Sequence, residues 1–217
     1  MLSCRQVLPV AAILAAAFGS ATPSFAGVVT YSDFASWSAA TVGVTTNVTI
    51  PDPAPLAYIG FGSGTASVTY SGVVFATDIG LGNSLFFNVG SEYTTVPAVL
   101  SSQVASFGVE NILITLPGQM TGFALSYGTF DGSNVTFTLS NGEVFTQTSS
   151  GSGYATKDFF GVTDTTVFQS VLVTSPDFVL NINNPSFTNA PEPNVWFLFT
   201  TGITGLIGYG RRRKRIV

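Results

Sequence analysis

Between positions 27 and 190, apolar residues alternate with Thr, Ser and Asn, the period of two expected for strands with one buried face. Ile112, Ile114 and Leu116, for example, fall on one parity. β-Branched and aromatic residues fill these runs, as strands prefer, and Gly, Pro and Asn interrupt them. The pattern predicts strands near 44–50, 65–76, 84–89, 109–116, 121–127, 134–139, 143–148, 167–174 and 178–183.

The segment SDFASWSAA, residues 32–40, is the one with helical spacing. Ser32 is the expected N-cap, because a hydroxyl can accept a hydrogen bond from the first free backbone N–H groups. Phe34 and Trp37 lie three residues apart and would share a face.

The segment NVTFTLSNGEVFTQT predicts a hairpin around Asn141-Gly142. A two-residue loop would place Phe137 opposite Thr146. A three-residue loop, residues 140–142 with Gly142 left-handed, places Phe137 opposite Phe145 and Thr136 opposite Thr146. We favour the second register because it keeps one face apolar and the other hydroxylated. The threonine face is a possible binding surface, although such a face is more often the solvated side of a sheet.

Short strands with a turn about every ten residues predict an all-β fold of two packed antiparallel sheets. We expect a jelly-roll-like β-sandwich, with a closed barrel as the alternative. The chain shows no internal repeat, and the proline-rich segment 51–55 is interpreted as a stiff loop within one domain, residues 27–190.

Residues 1–26 have the layout of a secretory signal peptide. A charged start is followed by an apolar core of twelve residues, and small residues precede an expected cleavage between Ala26 and Gly27. A transmembrane helix would need about 20 apolar residues. The only cysteine, Cys4, lies in this segment, and the chain has no histidine. Thiol chemistry, disulfides, a Ser-His-Asp triad and His- or Cys-ligated metal sites are therefore excluded in the mature body, and we expect no cofactor.

The body, residues 27–190, carries ten acids and a single base, Lys157, for a net charge of −9. One cation cannot neutralise a row of phosphates, so nucleic acid is not an expected partner. Thr, Ser, Asn and Gly must supply most of the polar surface, and such a surface suits neutral polyhydroxyl partners.

The C-terminal region contains three ordered elements. Pro191-Glu192-Pro193 is a stiff, extended tripeptide, since both prolines fix φ. Residues 195–210 carry no charge and would span about 24 Å as a helix, against a hydrocarbon core of about 30 Å. Residues 211–217 contain five consecutive bases, Arg211, Arg212, Arg213, Lys214 and Arg215, which would stop transfer and remain cytoplasmic.

This order of elements resembles the PEP-CTERM sorting signal of exported proteins in Gram-negative, exopolysaccharide-producing bacteria, a module also named after the C-terminus of an ice-binding protein. The resemblance implies recognition by an exosortase and processing near Pro191-Glu192-Pro193, after transient residence in the inner membrane. The body would then be released or attached in the envelope, at the outer surface or in the extracellular matrix. Signal peptidase is the other implied partner.

The body more weakly resembles the sandwich domains that precede such tails, through the cadence of residues 159–182. Those relatives often end their last strand with an acidic segment. Here the matching residues 182–185 are Ile-Asn-Asn-Pro, without the acid.

Three functions remain open for the body. A non-enzymatic, carbohydrate- or matrix-contacting module would need an aromatic platform with amide or carboxylate partners, for which Asp131, Asn134 and Tyr154, with Tyr93, are candidates. The loop that contains Asp131 could offer oxygens to Ca²⁺ but lacks the spaced acids of an EF-hand, so no metal site is expected.

A glycoside hydrolase would need two carboxylates, and Glu92, Glu110 and Glu143 are available but not clustered in sequence. A structural or ice-contacting surface would need regular threonine ranks, which are absent. We therefore expect no enzymatic activity. A permanently anchored surface protein is the alternative to the sorted one.

Overall fold

The computed structural model describes residues 27–41, 43–50, 57–59, 66–78, 83–89, 98–104, 109–151 and 155–189. These residues form twelve strands and one short helix. The helix is α1 (Phe34–Ala40). The strands are β1 (Val29–Tyr31), β2 (Thr45–Asn47), β3 (Ala57–Ile59), β4 (Ala66–Tyr70), β5 (Val73–Thr77), β6 (Asn83–Val89), β7 (Ala98–Val104), β8 (Glu110–Thr129), β9 (Asn134–Leu139), β10 (Val144–Thr148), β11 (Asp158–Ser175) and β12 (Val179–Asn189).

All the strand pairs are antiparallel, with β10, β9, β11, β8, β12, β7, β6 and β3 adjacent in that order. The long strands β8 and β11 change neighbours along their length. The first part of β8 lies between β5 and the second half of β11. Its second part lies between the first half of β11 and β12. The prediction of an all-β antiparallel fold is confirmed, whereas the jelly-roll order stays a prediction.

The side chains that point inward from both parts of β8 and from the strands beside them form one continuous apolar cluster. Phe137 and Phe160 stack in its centre, with ring centroids 3.9 Å apart and planes 6° from parallel. Phe75, on β5, and Phe123, on the second part of β8, are fully buried in the same cluster. Because burial of a large aromatic side chain contributes about 1.5–3 kcal/mol, this cluster is the main source of stability.

The predicted hairpin register is confirmed. Phe137 lies opposite Phe145 and Thr136 opposite Thr146. The loop has three residues, because the backbone N–H of Leu139 donates to the carbonyl of Glu143 and Gly142 takes φ +100°.

Two parts of the chain are divided into strands differently from the prediction. The predicted strand 65–76 is the hairpin of β4 and β5, because Ser71 and Gly72 take positive φ of 50° and 78° and reverse the chain. The predicted strands 109–116 and 121–127 are one strand, β8, which continues through Pro117 where it exchanges neighbours.

Other strand boundaries differ in length. The predicted strand 44–50 is reduced to β2, 167–174 lies within the longer β11, and 178–183 begins one residue before the longer β12. The pattern did not predict β1, β3 or β7. The first two have only three residues each, too few for a period of two to be recognised.

The predicted helix is present but begins one residue later. Its N-cap is Asp33, not Ser32, since Asp33 Oδ1 accepts a hydrogen bond of 2.8 Å from the backbone N–H of Ser36. That hydrogen bond favours the charged carboxylate and lowers the pKa of Asp33. Phe34 and Trp37 share a face, as predicted, with ring centroids 5.7 Å apart.

Several predictions lie outside the described residues: the signal peptide 1–26 with Ala26, the segment 51–55, Tyr93, Glu92, Tyr154, the sorting motif 191–193, the span 195–210 and the basic tail 211–217. Among the residues that are described, no helix has the length and apolar character needed to cross a bilayer.

Candidate functional site

A row of small residues on β8 opens one face of the sheet to close contacts. In GFALSYG, residues 122–128, Phe123, Leu125 and Tyr127 point into the core, while Gly, Ala and Ser occupy the alternate positions. Such positions leave room for other segments to pack directly on the sheet. The helix α1 contacts the adjacent strand β11, and the strand β2 extends the sheet by pairing with β12.

The helix is fixed to this face by Trp37, which is fully buried. Its Nε1–H donates a hydrogen bond of 3.1 Å to the carbonyl of Val162. The indole ring lies directly over Gly161, where a Cβ atom would come within 2.9 Å of Trp37 Cδ1 and of Phe159 Cε1. Gly161 is therefore required by the close approach of the two rings.

Phe34 is held beside these two rings and remains accessible. Its ring centroid lies 5.7 Å from that of Trp37 and 6.3 Å from that of Phe159, the latter pair edge to face at 86°. Edge-to-face packing is a favourable aromatic geometry. With 46% of its surface exposed, Phe34 presents an apolar ring to solvent while its position is held by the contacts with Trp37 and Phe159.

A bulge in β12 supplies polar groups next to this ring. The pairing of β12 with β8 shifts between Asn183 and Ser186, and Asn184 takes a left-handed φ of 48°. Asparagine tolerates this conformation better than most residues. The bulge exposes Asn184, and the carbonyl of Pro185 accepts a hydrogen bond of 2.8 Å from the backbone N–H of Val48.

The end of β2 and the residues just after it lie beside the bulge and supply further polar groups. Ser186 Oγ donates a hydrogen bond of 2.7 Å to Asn47 Oδ1, which fixes the amide of Asn47 while its side chain stays exposed. The Nδ2 donors of Asn47 make no hydrogen bond to any other described residue. They are available to a molecule in the groove.

These elements enclose a groove of about 340 Å³. We call it the aromatic groove, and it is lined by Phe34, Asn47, Val48, Thr49, Ser126, Phe159, Asn184 and Ser186. Its lining combines two aromatic rings with amide and hydroxyl groups and contains no ionisable side chain. Its volume lies at the lower end of the range of small-molecule sites, about 300–1,000 Å³. The chemistry fits a neutral, hydroxyl-rich molecule.

Asp131 and Asn134, which were predicted as ligand contacts and are described, do not line this groove. Asp131 lies in the turn after β8, and Asn134 begins β9. Asn134 Oδ1 already accepts a hydrogen bond of 2.8 Å from Thr148 Oγ1. Gly27, at the predicted cleavage site, is exposed and precedes β1.

The threonine face of the hairpin is exposed but largely paired with itself. Thr136 Oγ1 and Thr146 Oγ1 share a hydrogen bond of 3.2 Å, and Thr148 is bonded to Asn134. Because these hydroxyl groups already form hydrogen bonds across the strands, this face is better interpreted as the solvent-facing side of the sheet than as a binding surface.

Sequence reasoning did not identify the residues of the aromatic groove. The sequence pattern indicates only a helix position for Phe34 and only a position without an acid for Asn184. The small residues that alternate with Phe123, Leu125 and Tyr127 were the available signal, because a sheet face without side chains indicates that something packs closely upon it.

Comparisons with known proteins give little further information. No protein-family model matches the chain, and no curated protein matches it. One similar solved structure is a mutant of a carbohydrate-binding module of family 29, with 13% identity over 68% of this chain and 94% of the module. The TM-score of 0.27 is too low for this likeness to support a statement about fold or ligand.

Proposed function

We propose that residues 27–190 form a non-enzymatic module that contacts polysaccharide through the aromatic groove. The observation that carries the proposal is the lining of the groove: the exposed ring of Phe34, fixed against Phe159, beside the amides of Asn47 and Asn184. The module is taken as a jelly-roll-like β-sandwich, since β8 and β11 contribute to both parts of a sheet that encloses one core.

The chemistry of sugars matches these groups. A pyranose ring has an apolar face of C–H groups, which packs on an aromatic ring, and an equatorial rim of hydroxyls. Amide side chains can donate and accept hydrogen bonds with neighbouring hydroxyls. Because the lining has no charge, a neutral glycan would not leave a buried ion without a partner.

The positions of Glu110 and Glu143 favour binding over hydrolysis. Glycosidases hold two carboxylates about 5–9.5 Å apart. Glu143 lies beside Leu139, in register with Ile114, whereas Glu110 lies four residues earlier on β8, about 13 Å away along the strand alone. Neither residue lines the aromatic groove.

A glycan array followed by product analysis tests this part of the proposal. Binding predicts that the full-length protein is retained on one class of neutral glycan and releases no new reducing ends over hours. Reducing ends that accumulate with time would establish a hydrolase instead. Failure to retain any neutral glycan would overturn the binding proposal.

We further propose that the chain is exported and sorted by an exosortase through its C-terminal region. The support is the order of Pro191-Glu192-Pro193, the uncharged residues 195–210 and the basic residues 211–215, together with an acidic body. Five bases resist transfer across a bilayer and hold the C-terminus on the cytoplasmic side. The body would be released to, or attached at, the cell surface or matrix.

The mass of the protein recovered from envelope and medium tests sorting. The proposal predicts loss of residues 1–26 and of the residues beyond 193 in cells that contain an exosortase, and an uncleaved C-terminus in cells that lack it. Replacing Glu192 with Ala should reproduce the uncleaved form. An uncleaved C-terminus in both strains would favour a permanently anchored surface protein.

A further inference from the structure

Two turns meet at one end of the sheet, away from the aromatic groove. Residues 130–133 connect β8 to β9, and residues 176–178 connect β11 to β12. The rings of Phe130 and Phe178 are in contact, with centroids 4.8 Å apart. The backbone N–H of Asp131 donates a hydrogen bond of 2.8 Å to Asp177 Oδ2. The two turns therefore bring two aspartates together.

Because the backbone N–H of Asp131 binds the carboxylate of Asp177, the two carboxyl groups lie near each other. Asp131 Oδ1 already accepts hydrogen bonds from the backbone N–H and the hydroxyl of Ser133, at 3.0 and 2.6 Å. Two ionised carboxylates have no proton to donate to one another. Their proximity is unfavourable unless one of them is protonated or a cation binds beside them.

Asp177 is the more buried of the two aspartates. Its side chain is only 3% exposed, and its Oδ1 atom is buried without a hydrogen-bond partner. An unsatisfied buried carboxylate oxygen is costly and rare in folded proteins. Lys157 is the one basic residue in the described part of the chain, and it makes no ion pair with either aspartate.

We propose that Asp131 and Asp177 bind a calcium ion that joins the β8–β9 turn to the β11–β12 turn. Ca²⁺ takes six to eight oxygen ligands and accepts irregular geometry, so two carboxylates, nearby carbonyl or hydroxyl oxygens and water can complete its shell. Asp131 is exposed, which gives the ion access from solvent.

The site is expected to be weak. Among the described residues, no three or more acidic, histidine or cysteine side chains lie close enough together to hold a metal ion. Because affinity rises with the number of charged ligands, a two-carboxylate site should fall in the range of extracellular modules, about 0.1–1 mM.

Thermal unfolding of the full-length chain at pH 7, in EDTA or in 10 mM CaCl₂, tests the proposal. The wild-type Tm should rise by about 3–10 °C with calcium. Asp177→Asn should abolish that rise. In EDTA this variant should be at least as stable as wild type, because an amide relieves the repulsion and can donate to Asp131. Glu143→Gln, which removes an exposed acid elsewhere, should respond to calcium like wild type.

Two outcomes would overturn the proposal. One is a wild-type Tm that calcium does not change. The other is a rise of equal size in wild type and in Asp177→Asn, which would indicate nonspecific binding. If Asp177→Asn does not fold, calorimetric titration of CaCl₂ into wild type and Asp131→Asn provides the same comparison.

Discussion

Gly161 shows how one residue determines the geometry of the aromatic groove. Trp37 lies directly over its Cα atom, and Phe159 approaches from the adjacent position. Its φ is not in the left-handed region, so the requirement for glycine arises from space and not from backbone conformation. The position of Phe34 depends on these two rings and therefore on the missing Cβ.

We predict that Gly161→Ala destabilises the protein by about 1–3 kcal/mol, because the Cβ atom would force Trp37 and Phe159 apart. Gly118→Ala is the matched control, since a Cβ there would meet only Met120 Cε at 3.9 Å. Urea denaturation of the two variants measures the difference. Equal unfolding free energies would mean that Trp37 does not pack as described.

Asp177 makes stability depend on pH in an unusual direction for an aspartate. Burial raises its pKa above the ordinary value of 3.8, and the neighbouring carboxylate of Asp131 adds to the effect. The hydrogen bonds from Ser133 lower the pKa of Asp131 itself. At pH values above about 4, only Asp177 of the pair therefore binds more protons in the folded state than in the unfolded state.

We predict that, without divalent cations, the unfolding free energy falls as the pH rises from 3.8 through the folded pKa of Asp177. The contribution of Asp177 is complete below 3.8 and is lost above its folded pKa. In Asp177→Asn this fall should disappear. Urea denaturation between about pH 4 and pH 8 in EDTA measures both profiles, and parallel profiles would contradict a raised pKa.

At the scale of elements, the hairpin of β9 and β10 could be predicted in detail because its evidence is local. Asn141-Gly142 fixes the turn, and matching Phe137 with Phe145 selects the loop length. The continuity of β8 could not be predicted in the same way. Pro117-Gly118 has the composition of a turn, and only its tertiary neighbours keep the chain extended: β11 along one edge of β8, and β5 followed by β12 along the other.

The hairpin register predicts unequal effects at adjacent residues. Phe145 packs near Phe160, with centroids 5.7 Å apart, whereas Val144 is 57% exposed on the opposite face. Phe145→Ala should cost about 2–3 kcal/mol and Val144→Ala less than about 0.5 kcal/mol. Denaturation of both variants measures the ratio. The reverse order would indicate the two-residue loop and the shifted register.

At the scale of the whole molecule, the aromatic groove is assembled from five elements: α1, the segment at β2, β8, β11 and the bulge in β12. The alternation of apolar residues was sufficient to predict an all-β fold. It could not predict which solvent-facing residues converge, because strand order depends on long-range pairing. The acidic turn was predicted as a ligand loop through Asp131, but its partner Asp177 is 46 residues away.

If glycans bind in the aromatic groove, replacing the exposed phenylalanine in the groove should weaken glycan affinity, whereas replacing a similarly exposed phenylalanine elsewhere should not. Phe34 is 46% exposed in the groove, and Phe130 is 41% exposed at the distant β8–β9 turn. The two residues offer comparable apolar surface. They therefore form a matched pair of substitutions that differ chiefly in location.

Calorimetric titration of a neutral glycan retained by the wild-type protein into Phe34→Ala and Phe130→Ala is the most direct test. We predict that Phe34→Ala weakens binding at least about tenfold, equivalent to ~1.4 kcal/mol, while Phe130→Ala leaves Kd unchanged within about twofold. Circular dichroism should confirm that both variants fold. Equal affinities in the two variants, or a loss confined to Phe130→Ala, would contradict binding in the aromatic groove.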